Sequence, residues 1–556
     1  VKHLSATSRG YLAKLSSLFV PGDNEIIKFL LNINDKELFF FLKEAINNEL
    51  LYKKNDSYYI SFREVIQILK TECTIRQRNL LSRQVLDFYE NKTVSLTPVV
   101  EGIIKHAERI KDYIAVRKYN LRLVQLYSEQ GNQEEAFDIM CRVLDLDFSE
   151  KLVISEKDLK LDLRLMLDKS EWTSINHIPE SMKKLIVKMP EIAEKHLIIG
   201  IFFQVAEKYQ SAQHRLERAL KLSLTGYYHI FVTLNLAYLH FLQNDLEGMG
   251  YLLAGVDEQA LSDDLKLEFI TYKSLFLGYS GALDEGIQLA EDFLPQIKTE
   301  NDANYFVRLG NLHNVLGLLY HIKKMLDEAE RNFESARKIW EKVNYNRKLG
   351  ISYNNIGDIA LIKGDTTKAF EYFRKALNVC NMVGCKRVKV QGLLNHGEAY
   401  NKLGVFNVAE KYLYDAMKLS SSLETRPFQE SIVNNLALAK SKIRNFASYH
   451  DFIDEYAPDL LKGNIERVTP LTKTYFYYLY EIGDYDKMED LLTKYESLIL
   501  AAKEHEFYYQ MLGFLHLKIG NHKQALENIE LAYNYSKQNR SDYALTINYL
   551  RMVQCY

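Results

Sequence analysis

At 556 residues the chain exceeds what one compact core usually supports, so several domains or an open stack of repeats must share it. Its 71 Lys and Arg against 73 Asp and Glu leave a formal charge of -2, which excludes a global field that would draw in nucleic acid or an anionic membrane. A hydrophobic share of 47% with only 8 prolines excludes a disordered chain and favours helices joined by short turns.

Leu4 to Phe19, Asn24 to Leu31 and Lys36 to Leu50 read as three short amphipathic helices, separated by Pro21-Gly22-Asp23 and by Asn32 to Asp35. The stretch Leu51 to Ile60 predicts a hairpin, because β-prone ends flank a polar turn. A helix follows from about Phe62 to Leu69. Three helices and a hairpin make a small winged-helix domain, assigned to residues 1–92. Beyond it come the basic Arg76-Gln77-Arg78 run and Ile103-Ile104-Lys105-His106-Ala107. This order resembles the arm that follows the nucleotide-binding module in STAND-class signal-transduction ATPases, where a winged helix leads into helical repeats that sense a ligand. The resemblance spans the whole sequence and implies a signalling or transcription-regulating assembly. No G-K-S or G-K-T phosphate loop occurs, so any nucleotide-hydrolysing module belongs upstream of Val1. A DNA reader needs an electropositive recognition helix, yet Lys36 and Lys43 are outnumbered by Glu37, Glu44 and Glu49. A relay between effector and sensor arm is the preferred reading.

Residues 93–190 are expected to hold degenerate helical repeats, marked by Tyr127, Gly131 and Ala136 and by a unit around Leu161 to Met182. Regular repeats occupy 191–556. Leu316-Gly317 is followed by Tyr320, Ala329, Phe333 and Ala336; Ile356-Gly357 by Gly364, Ala369, Phe373 and Ala376; Gly397 by Tyr400, Gly404, Ala409, Leu413 and Ala416. Crossing glycines at 317, 357 and 397 give a period of 40. Small residues let two helix axes approach, while Phe333, Phe373 and Leu413 fill the space between units. The same phase finds Gly200 with Ala212 and Ala219, then Ala237, Ser274, Ala437, Phe476, and Gly513 with Ala525 and Ala532. The pattern resembles tetratricopeptide repeats and implies an all-α, right-handed α-solenoid of about eleven helix pairs. Met552-Val553 and Tyr556 stand where a new first helix would meet its partner. A chain that starts at Val1 and stops mid-repeat is expected to be an arm of a larger protein.

In tetratricopeptide superhelices the first helix of each unit lines the concave groove, so polar residues recurring there are the candidate ligand contacts. Two and three positions before the crossing residue stand Asn354 and Asn355, Asn395, Asn434 and Asn435, with Asn314 and Asn235 in equivalent places. An asparagine amide both donates and accepts, so it can pair with a peptide backbone whatever the side chains. Units about 10 Å apart match about three residues of extended chain at ~3.3 Å each. Similar ladders occur in peptide-pheromone receptors and kinesin light chains. The alternative is that these amides bond neighbouring helix carbonyls or cap turns. Asn311, Glu398, Asn401 and Lys402 share the same helices. The junction bases Arg308, Arg347, Lys348, Lys386 and Arg387 could hold a ligand carboxylate, or simply be solvated.

Catalysis finds no support. Histidines such as His313, His396 and His516 are scattered singly, and no H-E-x-x-H or G-x-S-x-G occurs. No enzyme activity, cofactor or metal is therefore expected within the chain. Cys73, Cys141, Cys380, Cys385 and Cys555 form no C-x-x-C pair, and reduced thiols in a cytoplasmic protein are expected. The apolar cluster Leu38 to Leu42 is far too short to span a bilayer. The expected partners are a peptide or protein segment and an associated effector domain, with neither DNA nor membrane. A DNA-binding regulator of pheromone-receptor type and a passive assembly scaffold remain the alternatives.

Overall fold

The computed structural model describes residues 4–130, 132–149, 155–170, 180–222, 224–297, 303–426, 428–538 and 542–555. Gly131, Tyr556 and residues 171–179 of the degenerate unit lie outside the described residues. The protein is 79% helical, and a single two-stranded hairpin is its sheet among the described residues. It is an all-α stack of helix pairs. Two compact units divide it, Val1–Leu265 and Lys266–Tyr556.

The Val1–Leu265 unit opens with α1 (Ala6–Leu15), α2 (Asn24–Leu31) and α3 (Asp35–Asn47). Each starts where a side chain satisfies an orphan amide: Ser5 accepts from Ser8, Asp23 from Ile26, and Asn34 and Glu37 form a reciprocal capping box. α3 ends three residues before the predicted Leu50, because Glu49 adopts a positive φ of 57° and turns the chain. Strands β1 (Leu51–Lys54) and β2 (Ser57–Ile60) pair antiparallel from Leu51↔Ile60 to Lys54↔Ser57. Asn55 and Asp56 both lie at positive φ, the two-residue turn whose twist matches its strands. The Tyr58 amide donates to the Gly22 carbonyl at 2.8 Å, adding one bridge to the hairpin edge. Leu12, Ile27, Leu38, Phe41, Leu51 and, from α4 (Arg63–Glu72), Leu69 bury a common core.

After α5 (Ile75–Tyr89), α6 (Thr97–Ile110) clamps the segment leaving α1. His106 Nε2 accepts from the Phe19 amide at 3.0 Å and Nδ1 meets Ser82 Oγ at 3.0 Å. One turn earlier, a Cβ on Gly102 would stand 2.3 Å from the Phe19 carbonyl oxygen. Farther on, Arg117 of α7 (Tyr113–Glu129) sits between two buried carboxylates: Nε donates to Asp147 Oδ1 at 2.9 Å, and Nη2 pairs with Asp162.

The repeat register is written in both packing and turns. A Cβ on Gly200, Gly317, Gly357, Gly397 or Gly513 would fall 2.4 to 2.5 Å from Leu216, Phe333, Phe373, Leu413 or Ile529 respectively. Each obstructing residue is sixteen positions after its glycine. Seven positions after the crossing residue the backbone turns left-handed in nine units, at residues 207, 244, 281, 324, 364, 404, 444, 483 and 520. This φ > 0 residue ends the first helix and reverses the chain. Five of the nine are Gly; Glu207, Asn244, Lys324 and Arg444 bear a Cβ there. Lys324→Gly is accordingly expected to stabilise the Lys266–Tyr556 unit by about 0.5–1 kcal/mol, less than the ~1–2 kcal/mol left-handed penalty because glycine also loosens the unfolded chain. Urea denaturation of the two proteins measures the difference.

Candidate functional site

In the Lys266–Tyr556 unit, four successive first helices, Ala303–Ile322, Asn346–Ile362, Lys386–Lys402 and Gln429–Ile443, carry the asparagine row. Much of it is spent on joining repeats. Asn355 Nδ2 donates to Asn314 Oδ1 at 3.0 Å, while its own Oδ1 accepts from Gln391 Nε2 at 3.4 Å. A polar chain thus crosses three first helices. Fully buried Asn354 donates to the Val388 carbonyl at 3.0 Å. Asn401 Nδ2 donates to the Asn435 carbonyl at 3.0 Å, and Asn435 in turn to Ser431 O at 3.0 Å. Asn434 Oδ1 accepts the Leu471 amide at 3.0 Å, at the start of helix Pro470–Ile482.

Three buried polar atoms of the row and its neighbours are left over: Asn354 Oδ1, Asn395 Nδ2 and Asn401 Oδ1 have no hydrogen-bond partner among the described residues. A buried orphan of this kind costs about 1–3 kcal/mol. Asn395 and Asn401 are 8% and 7% exposed and lie one turn either side of Glu398.

The remaining candidates scatter. Asn235 belongs to the Val1–Leu265 unit, where Nδ2 donates to Phe231 O of its own helix at 2.9 Å. Asn311 is half-buried on the Ala303–Ile322 helix. Arg308 holds a carboxylate of its own chain, Glu268, at 3.1 Å, so it is committed to the fold. Arg387 lies over the Phe428 ring, 5.2 Å from its centroid. Lys386 is exposed beside it; Arg347 and Lys348 are half-buried in the first turn of Asn346–Ile362. Glu398 and Lys402 pair at 3.1 Å.

Asp358, which stands outside the sequence-predicted set, shares this face with Glu398. Asp358 follows Gly357 as Glu398 follows Gly397, so the two carboxylates occupy one position in successive units. That repeated Gly-acid step was the signal. Burial, and secondarily the Glu398 charge, hold the Asp358 carboxyl above the usual range; His321 and Lys402 oppose the shift. His321 Nε2 stands 3.7 Å from Asp358 Oδ2, too far for a good hydrogen bond.

Residues 308–382, which take in most of Ala303–Ile322 and all of Asn346–Ile362, match the tetratricopeptide repeat family model. That segment carries tetratricopeptide repeats. No curated protein sequence matches the chain. Among solved structures, similarity extends to a signal transduction ATPase with numerous domains from Pyrococcus horikoshii, which has a tetratricopeptide repeat sensor; identity is 15%, coverage 92% of this chain and 66% of that one, and TM-score 0.43. The chain therefore spans just under two thirds of that protein. Apo RapI (13% identity, 63% and 99% coverage, TM-score 0.43) and a Rap protein complexed with competence and sporulation factor (12%, 63% and 98%, 0.45) are also similar.

Tetratricopeptide repeats make a protein-binding helical scaffold, and two of the histidines bond within their own repeats. His313 Nδ1 bonds Asn332 Oδ1 at 3.0 Å, and His396 Nδ1 donates to the Gly392 carbonyl at 2.8 Å. Tyr475, Tyr478 and Tyr480 are buried between repeats. Among the described residues no three His, Cys, Asp or Glu side chains are grouped to hold a metal ion, and no helix is long and apolar enough to cross a membrane.

Proposed function

We propose that the chain is the sensor and protein-interaction arm of a larger signalling or transcription-regulating protein, and that its repeats bind an extended peptide along the first helices of the Gly317, Gly357 and Gly397 units. The carrying observation is the pair Asn395 Nδ2 and Asn401 Oδ1, a donor and an acceptor buried without partners on one helix face. A peptide backbone supplies the complementary carbonyl and amide, and the rise of about 9 Å between positions six apart on a helix corresponds to about three residues of extended chain. Asn355 joins them once its bonds to Asn314 and Gln391 are exchanged for ligand bonds. Asn354, Asn434 and Arg308 instead hold the repeats in register. Binding across several units would bias every interface between them, because each repeat touches only its neighbours.

The division at residues 92 and 190, with a winged-helix relay before the repeats, is part of this proposal. The face of α3 supports a protein-facing role over DNA reading, since Phe39 and Phe40 are exposed there at 61% and 57% where a groove reader would carry polar and basic side chains.

Immobilised random nonapeptides test the reading. Wild-type protein is expected to retain a subset, and Asn395→Ala with Asn401→Ala to lose at least tenfold in affinity, on the order of 1.4 kcal/mol. Equal retention by the wild type and the double variant would remove the groove assignment.

A further inference from the structure

We propose that the bound peptide presents a lysine or arginine side chain to Asp358 and Glu398. The inference rests on the peptide reading above and adds the charge of the ligand. Asp358 and Glu398 stand at the same position of adjacent units, on helices that pack side by side. Like charges so placed repel, and each is short of compensation within the chain. Lys402 faces Glu398 from one turn along the same helix at 3.1 Å, with 43% of its side chain exposed, and such exposed i,i+4 pairs contribute only a few tenths of a kcal/mol. His321, from the preceding unit, is 3.7 Å from Asp358.

The second observation is independent of charge. Asn395 and Asn401 flank Glu398 at i−3 and i+3, so all three share one helix face. Both amides are more than nine-tenths buried and each has one polar atom without a partner. A ligand that satisfies this face must bring an acceptor for Asn395 Nδ2, a donor for Asn401 Oδ1 and positive charge for the two carboxylates. A main-chain carbonyl, a main-chain amide and a basic side chain from one extended segment supply all three. With helices about 10 Å apart, one long Lys or Arg side chain reaches between the two carboxylates, and a guanidinium can bond a carboxylate through two parallel N–H donors. An acidic side chain there would add a third negative charge at close range.

The experiment uses the full chain and nonapeptide pools in which one position is fixed as Arg, Lys, citrulline, Ala or Glu. The expected result is at least tenfold greater capture of Arg and Lys pools at one position, with citrulline no better than Ala. Asp358→Asn with Glu398→Gln should level the pools, and Asp358→Lys should turn the preference toward Glu. For the wild type alone, which needs no variant to fold, the Arg advantage should shrink as salt rises from 50 to 500 mM, as screening requires. Capture without charge preference, or a preference that survives the double variant, overturns this inference and leaves the peptide reading standing. Capture of no pool overturns both.

Discussion

Arg117→Ala is expected to destabilise the Val1–Leu265 unit by about 3–5 kcal/mol, the cost of leaving buried carboxylates without their cation. Arg117 is the charge between Asp147 and Asp162, whose side chains are 0% and 3% exposed. Even with Arg117 present the cluster holds two acids to one base. Burial first, and then the neighbouring Asp162, push the Asp147 carboxyl up to about 7, against which Arg117 works. A carboxyl whose native pKa is raised binds its proton more tightly folded than unfolded. Its stabilising contribution is therefore complete below the unfolded value near 3.8 and is lost as pH climbs through about 7. Asp147→Asn, which mimics the protonated form, should be more stable than wild type at pH 8 and gain little at pH 4. Urea denaturation followed by circular dichroism at both pH values decides it; a difference independent of pH would contradict the assignment.

This cluster shows where the sequence stops being legible. The repeats were readable because each unit restates the same packing problem. Gly317, Gly357 and Gly397 lie against Phe333, Phe373 and Leu413, and a pattern repeated at 40 residues declares itself. Even the non-glycine turns at Glu207, Asn244, Lys324 and Arg444 fall in phase with the crossing residues that the repeat period locates. Arg117, Asp147 and Asp162 occur once, on three different helices in the degenerate stretch; nothing local marks them as partners. The groove was half legible. Asparagines recurring near the crossing position announced a polar row, but only coordinates distinguish Asn354, committed to the Val388 carbonyl, from Asn395 with its amide unspent. Position in a repeat names a face, whereas the rotamer and the neighbouring helix decide whether the polar group is already used.

Gly102→Ala is expected to cost about 3 kcal/mol and to loosen the α1–α5 module from the repeats, because the new methyl would meet the Phe19 carbonyl oxygen, a backbone atom that no side-chain rotation can move. One turn away, His106 completes the same clamp by accepting the Phe19 amide. With Nε2 an acceptor, the proton sits on Nδ1 toward Ser82, and the ring must be neutral. Burial, helped by the charge of Arg109, lowers its pKa to about 3. The sign is opposite to that at Asp147. A histidine held neutral contributes stability that is present above its unfolded value of 6.5 and lost as pH falls toward 3, with a limiting slope of about 1.4 kcal/mol per pH unit. Between pH 4 and 6.5, unfolding takes up a proton at His106 and releases one at Asp147, so the two slopes offset each other in the wild type. Asp147→Asn should expose the histidine slope, with stability rising steadily from pH 4 to 6.5. His106→Ala should expose the carboxylate slope, on a lower baseline because the buried Phe19 amide loses its acceptor. Denaturation midpoints of the three proteins across that range separate the two contributions, and parallel profiles would show that neither group titrates as the packing around it requires.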